Sequence, residues 1–370
     1  MRNKYAIIFR GASLLFVWFV WAAAAQAGTT VGIGGRLHID GALYDEDIAE
    51  LGSGTEIRRA RLFAEGTIAE DWDYRLEFDF NDGDVTPTDA YVQYTGLSLG
   101  TIKIGHFKPP FSLEAQTSSR FITFMERAMI NEFALTRRIG VGYEAAQGGL
   151  TFGAALFGQA AGDSAEDEGV GAAARVAYAF QPREGALIHL GLGTAYEEPG
   201  TTDTGSDAVR IRARPESHVT DTRLVDTGGI AAARSRTSLG LEFAAVYGSL
   251  SAQAEYMQQS VDSAGGDFEF DGYYAYVSWF PGGESRQYKG GKFDRIQAEN
   301  AWEFGVRFSS LDLDDGIVTG GEEDNLTFGA NYYVNPYLRF MLNYILVDSE
   351  RAGISDDPDI LQARLSLDFK

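Results

Sequence analysis

The sequence predicts an all-β fold, a closed antiparallel transmembrane β-barrel of about 16 strands. Three observations predict it. An export leader is followed by no further membrane-length apolar run, about 16 segments alternate apolar with polar residues, and the connections between them switch regularly between short and long.

The leader comes first. Arg2, Lys4 and Arg10 stand without an acid, an apolar run covers 12–25, and Ala25, Gln26 and Ala27 offer a small-x-small cleavage site. The run is too short for an anchor helix, so residues 1–27 read as a signal peptide cleaved after Ala27. Residues 28–370 are then one barrel domain, expected in the cell outer membrane after passage through the periplasm. Without residues 1–27 the chain keeps 28 of 31 basic and all 53 acidic residues, a formal charge of −25. That charge argues against nucleic acid as a partner. With no cysteine, neither disulfides nor thiol chemistry is available, and burial and backbone pairing must hold the fold. No later segment has 18 uninterrupted apolar residues, so a transmembrane helix is excluded. Gly (44 residues) and Tyr plus Phe (42) are abundant and Pro (9) is scarce, a mixture that suits sheet, glycine turns and aromatic belts.

The segments start near residues 31, 56, 72, 86, 98, 138, 149, 169, 184, 236, 249, 269, 297, 322, 336 and 358. In the third, Tyr74, Leu76, Phe78 and Phe80 alternate with Arg75, Glu77, Asp79 and Asn81. In the tenth, Leu239, Leu241, Phe243, Ala245 and Tyr247 share one face. In the thirteenth, Trp302, Phe304, Val306 and Phe308 oppose Glu303, Gly305 and Arg307. In the fourteenth, Leu326, Phe328, Ala330, Tyr332 and Val334 alternate with Asn325, Thr327, Gly329, Asn331 and Tyr333. Successive strand residues point to opposite faces, so each segment has an oily face and a wet one. Charges on the wet face in mid-strand separate this pattern from a soluble sandwich. An even count brings both termini to one side.

If the first strand rises from the periplasm, every second connection should be short. Those near 69–72, 95–98, 147–149, 182–185, 247–249 and 334–336 are. The long ones, 107–137 and 198–235, fall on the other side. One connection, 282–296, breaks the rule. The last segment runs to Phe369, with Lys370 after it; an amphipathic strand ending on Phe resembles the signal read by barrel assembly machinery.

Several pieces, in order, resemble the phosphate-selective porin O/P family of Gram-negative outer membranes. They are IRRARL (57–62), DWDYRLEF (71–78), DAYVQY (89–94), IGHFKPPFSLE (104–114), FMER (124–127), RRIGVG (137–142), GESRQY (283–288), AWEFGVR (301–307) and the pair Asn343 and Tyr344. The resemblance spans most of residues 28–370. It implies a 16-stranded, usually trimeric porin with an extracellular loop folded inward as a constriction, passing small solutes, often anions, passively. The implied partners are membrane lipid and lipopolysaccharide, small anionic solutes, the assembly machinery and two further copies of the chain. No cofactor and no metal are implied.

What lines a constriction decides selectivity. Residues 107–138 carry Lys108, Arg120, Arg127, Arg137 and Arg138 against Glu114, Glu126 and Glu132, a net +2 in a −25 chain. By the resemblance, the family's central basic residues map to Arg59, Lys108 and Arg120. Strand parity puts Arg59 and Arg61 inside with Glu65, and leaves Arg58 on the lipid-side parity as a rim residue. The second basic element is Arg210, Arg212 and Arg214, with Arg223, Arg234 and Arg236 nearby. Spacing of two in an extended chain aims the three guanidiniums one way, and their donor forks suit phosphate or carboxylate oxygens. A row of them could hand an anion along, as the family's arginine ladder does. The opposing reading is bracing, with Glu198, Asp203, Asp207, Glu216, Asp221 and Asp226 as partners. Trp72, Trp279 and Trp302 read as interface belt residues.

The expected function is that of an outer-membrane porin, a water-filled channel for passive diffusion of small solutes, anions such as phosphate or polyphosphate. The alternatives are a non-conducting barrel with a structural, adhesive or receptor role, a barrel enzyme and a soluble exported β-protein. His38, His106, His189 and His218 show no metal spacing, and neither a nucleophile elbow nor a phosphate loop is present. The acidic runs 163–168 and 322–324 read as solvated loops rather than Ca²⁺ sites.

Overall fold

The computed structural model describes residues 28–81, 83–163, 168–200 and 208–370. The expected signal peptide lies outside them. Sixteen strands build the wall: β1 (Gly32–Asp45), β2 (Gly54–Ala69), β3 (Trp72–Asp79), β4 (Thr86–Tyr94), β5 (Thr101–Phe107), β6 (Arg138–Gln147), β7 (Leu150–Phe157), β8 (Gly171–Phe180), β9 (Ala186–Glu197), β10 (Ala233–Tyr247), β11 (Leu250–Ser263), β12 (Gly266–Trp279), β13 (Ala301–Asp315), β14 (Val318–Asn335), β15 (Leu338–Arg351) and β16 (Asp359–Phe369). Each pairs antiparallel with its successor. β16 pairs back onto β1, from Gly35 opposite Phe369 to Asp45 opposite Asp359. Closure leaves no unpaired backbone edge, which hydrocarbon requires. A short strand, Ile354–Asp356, extends the β15 ladder above β16.

Burial is inverted relative to a soluble protein. On β15, Phe340 and Leu342 are 49% and 46% exposed on the outer face while Arg339 and Asn343 are 4% and 1% exposed within. The same holds for Phe304 and Val306 outside against Glu303 and Arg307 inside. An apolar belt of this extent is unfavourable in water and favourable in lipid. Trp72, Trp279 and Trp302 all stand on the outer face near strand ends on the side of the termini, against Tyr94, Phe304 and Tyr332. Above the belt the outward face turns acidic. Glu322 and Asp324 lie on β14 and are exposed there, with Glu323 between them buried inside. The run 322–324 is therefore strand, not loop: the ladder continues past the belt into water, where outward positions no longer need to be apolar. Of the run 163–168, residues 164–167 lie outside the described residues.

Three connections fill much of the interior. The first, residues 108–137, contains a one-turn helix, α1 (Leu113–Gln116), and a 3₁₀ turn, Met129–Phe133. Its backbone is held from the wall: Arg339 donates to Ile122 O at 2.9 Å, Asn331 to Thr123 O at 2.9 Å, Arg307 to Glu126 O at 2.9 Å and Arg364 to Met125 O. Glu255 of β11 accepts from Leu113 N and Glu114 N at 2.9 and 2.7 Å. Glycines on the inner wall let its apolar side chains sit flush. A methyl group at Gly329 would lie 3.0 Å from the Phe124 ring, and one at Gly272 would lie 2.6 Å from Ile130 Cγ2.

The second connection, between β9 and β10, enters through Glu216. This residue adopts the left-handed conformation at φ 51°, which costs a non-glycine residue about 1–2 kcal/mol. Its carboxylate is repaid with donors from Arg307, Ser309 (2.5 Å) and Thr327 (3.2 Å), and its carbonyl accepts from Gln362 at 3.0 Å.

The third connection joins β12 to β13 and contains the irregular 282–296. It does lie on the periplasmic side, so the strand count stands. It is long because it folds inward as a hairpin, Gln287–Lys289 against Lys292–Asp294. Gly290 and Gly291, at φ 57° and 78°, supply the two left-handed positions of a tight two-residue turn. Arg175 grips Gly291 O at 2.8 Å and His189 Nδ1 meets the Tyr288 hydroxyl at 2.6 Å.

Candidate functional site

The fill leaves a cavity of about 560 Å³ against the wall formed by β1 to β6. Its lining holds twelve Arg and Lys against five Asp and Glu, a net +7. The whole chain is −22.

The wall side is set by strand alternation and one irregularity. On β2 the pairing with β1 jumps from His38 opposite Arg59 to Ile39 opposite Ile57. Arg58 is the extra residue of a β-bulge, so two consecutive arginines turn inward. This corrects the rim position expected for Arg58, because strict alternation fails where a bulge adds a residue. Arg58 Nε and Nη2 donate to the two Glu126 oxygens at 2.9 and 3.0 Å, and Arg59 reaches the same carboxylate at 3.5 Å. Arg364 of β16 joins them at 2.6 Å while forking onto Asp40 at 2.7 and 2.6 Å. Burial opposes ionisation of Glu126, but Arg58, Arg59 and Arg364 outweigh it and hold the carboxyl well below its ordinary range.

Toward the periplasm along β2, Arg61 faces Asp79 at 2.5 Å and Glu77 at 3.4 Å. Arg36 contacts Glu77 at 2.9 Å and Ser119 Oγ at 2.7 Å, and Arg75 bridges Glu65 and Glu77. Arg137, just above β6, takes Asp89 at 2.6 Å. Near the periplasmic end Lys103 pairs with Glu144 at 2.9 Å, with Lys292 of the hairpin completing the lining.

Two cations of the inward loop stand apart. Lys108 Nζ donates to Ala115 O at 2.6 Å, and Arg127 donates to Glu114 O and Thr117 O at 2.9 and 2.7 Å. Among the described residues no carboxylate lies within 4.0 Å of either. Burial, then Arg127 and Arg137, push the Lys108 ammonium well below an ordinary lysine. Lys292 of the hairpin, in the same lining, likewise has no carboxylate within 4.0 Å among the described residues.

Five of the residues singled out from sequence, Arg59, Arg61, Lys108, Arg120 and Arg214, are brought together on this cavity. Arg210 and Arg212 are not. The alternation from 210 to 214 does set the three arginines opposite the buried Ile211 and Ala213, but Arg210 pairs with Asp226 at 2.8 Å on the exposed rim and Arg212 is exposed beside it. Arg214 donates to Thr220 O at 2.7 Å and Asp221 at 2.6 Å. Arg234 and Arg236 pair with Asp262 and Glu197. Of the expected bracing partners, Asp221 and Asp226 pair with these arginines, while Asp203 and Asp207 lie outside the described residues. Sequence reasoning missed Arg36, Arg75, Lys103 and Lys292. Arg75 was legible as the wet face of β3, whereas Lys292 could be found only once the hairpin was known to fold inward. The four histidines are scattered, and among the described residues no set of side chains suits a metal.

Residues 31–369 match the family model described as phosphate-selective porin O and P. Porin O of Pseudomonas aeruginosa is 29% identical over 389 residues, covering 91% of this chain and 88% of that one. An uncharacterized protein of Caulobacter vibrioides is 32% identical over 350 residues, 86% of this chain and 69% of its own. Among solved structures, an anion-selective porin from Comamonas acidovorans superposes with a TM-score of 0.61 at 12% identity, covering 92% and 100% of the two chains. The trimer form of OmpT from Vibrio cholerae gives 0.57 at 13%, with the same coverage. At such identities these two speak for the fold alone.

Proposed function

Because the chain belongs to the phosphate-selective porin O and P family and has the barrel of an outer-membrane channel, we propose that it admits small anions, phosphate or polyphosphate among them, by passive diffusion. The observation that carries this reading is the net +7 lining in a chain of −22, with Lys108 and Arg127 left without a close carboxylate. Loop 108–137 is the constriction in this reading. Arg59, Arg61, Lys108, Arg120 and Arg214 contact the anion in turn, and Arg210 and Arg212 draw it toward the mouth. Paired guanidiniums attract without trapping, because their carboxylate partners keep each site shallow, and shallow successive sites are what conduction needs. The working unit is a homotrimer, in line with the family and with the OmpT form named above.

The test is a reconstituted single channel in a salt gradient. The reversal potential is expected to show anion preference, and millimolar phosphate is expected to reduce chloride conductance. Cation preference would refute the anion reading. Anion preference without a phosphate effect would leave an anion porin and remove phosphate as cargo.

A further inference from the structure

The long periplasmic connection bears on selectivity through a residue that does not line the channel. Arg295, just after the hairpin, forks onto Asp368 of β16 at 2.8 and 2.7 Å and donates to Pro336 O at 2.6 Å. Asp368 points inward at the periplasmic end of the last strand and is 5% exposed. The nearest pore-lining cation, Arg120, is 3.9 Å from Asp368 Oδ2, beyond hydrogen-bond reach. The two guanidiniums also share a ring: Arg120 stands 5.1 Å and Arg295 5.2 Å from the Phe121 centroid. Arg286 of the same connection fixes that stretch of loop, donating to Phe121 O at 2.7 Å and to Thr123 Oγ1. The other charges around Arg120 include Arg36 and Arg75, both held by Glu77, and Arg295 itself.

We infer that Arg295 is a positioning residue for selectivity: by occupying both oxygens of Asp368 it keeps that carboxylate from neutralising Arg120, so that Arg120 offers its charge to the passing anion. The inference rests on the anion-channel reading above. An arginine fork outcompetes a single contact for a carboxylate, since two parallel N–H donors match its two oxygens. Without Arg295, Asp368 has only the 3.9 Å gap to cross.

The experiment measures chloride-over-potassium permeability for wild type, Arg295→Gln, Arg295→Gln with Asp368→Asn, and Arg120→Gln. All must first show the heat-modifiable mobility of a folded barrel. Arg295→Gln is expected to lower the ratio about two- to threefold, the scale of one charge paired in a wetted site. Arg120→Gln should give a similar loss, and adding Asp368→Asn to Arg295→Gln should restore the wild-type ratio. No loss in Arg295→Gln overturns the inference. A loss that Asp368→Asn does not restore also overturns it, because Arg295 would then act by packing on Phe121 rather than by holding a charge. A wild type without anion preference refutes instead the reading beneath it.

Discussion

Glu126 is shared by Arg58, Arg59 and Arg364, and it anchors the basic wall to the inward loop. Removing it leaves buried guanidiniums short of a counter-charge. Glu126→Gln should therefore destabilise the barrel by about 2–4 kcal/mol, seen as a lower unfolding midpoint in the heat-modifiability assay. The same change frees positive charge toward the cavity, so half-block by phosphate should need less phosphate. Lys108 gives a pH signature. Burial and its arginine neighbours lower its affinity for the proton, so its charge is present at low pH and lost as pH rises through that depressed value. Anion preference should fall with rising pH earlier than an ordinary lysine allows, and Lys108→Arg should flatten the profile. A wild-type profile as flat as that of the arginine variant would exclude the role. Arg59 and Arg61 were legible from parity alone. Arg58 was not, because the bulge that turns it inward is written in the β1–β2 register and not in either strand.

At the scale of elements, the loop is seated by absent side chains. Gly329 and Gly305 both face Phe124, and Gly193 and Gly240 both face Phe111. Gly329→Val should push Phe124 off the wall and reduce single-channel conductance, at a stability cost of about 1–3 kcal/mol. Ala330→Val, one residue on and facing lipid, should change neither. The strands themselves were readable: segments expected near 72, 86 and 138 begin at Trp72, Thr86 and Arg138. The expected starts near 297 and 322 fall at Ala301 and Val318: residues 297–300 still belong to the long connection, and past Val318 the outward face carries Glu322 and Asp324 instead of apolar side chains, so alternation has little to report. The fold of 280–300 was not readable, because its inward course depends on Arg175 and His189, which are distant in sequence.

Over the whole molecule, charge is sorted by location. Carboxylates crowd the outer face above the apolar belt, where Asp271 faces Asp312, Asp312 faces Glu322 and Glu322 faces Glu350 across the ladder. Cations crowd the cavity. Net charge therefore misleads about selectivity, which the lining decides. The outer carboxylates are open to salt, whereas the lining is confined. Raising ionic strength should weaken the anion preference only once the screening length, about 8 Å at 0.15 M, falls to about 3 Å near 1 M. A preference that vanished already at 0.15 M would mean that exposed charges set it. The placement of the tryptophans has a spectroscopic consequence. A chain lacking residues 1–27 has three, Trp72, Trp279 and Trp302, all at one rim. Its intrinsic fluorescence is thus a one-sided depth gauge: brominated lipid confined to the leaflet at that rim should quench nearly all of the emission, and the same lipid in the opposite leaflet almost none.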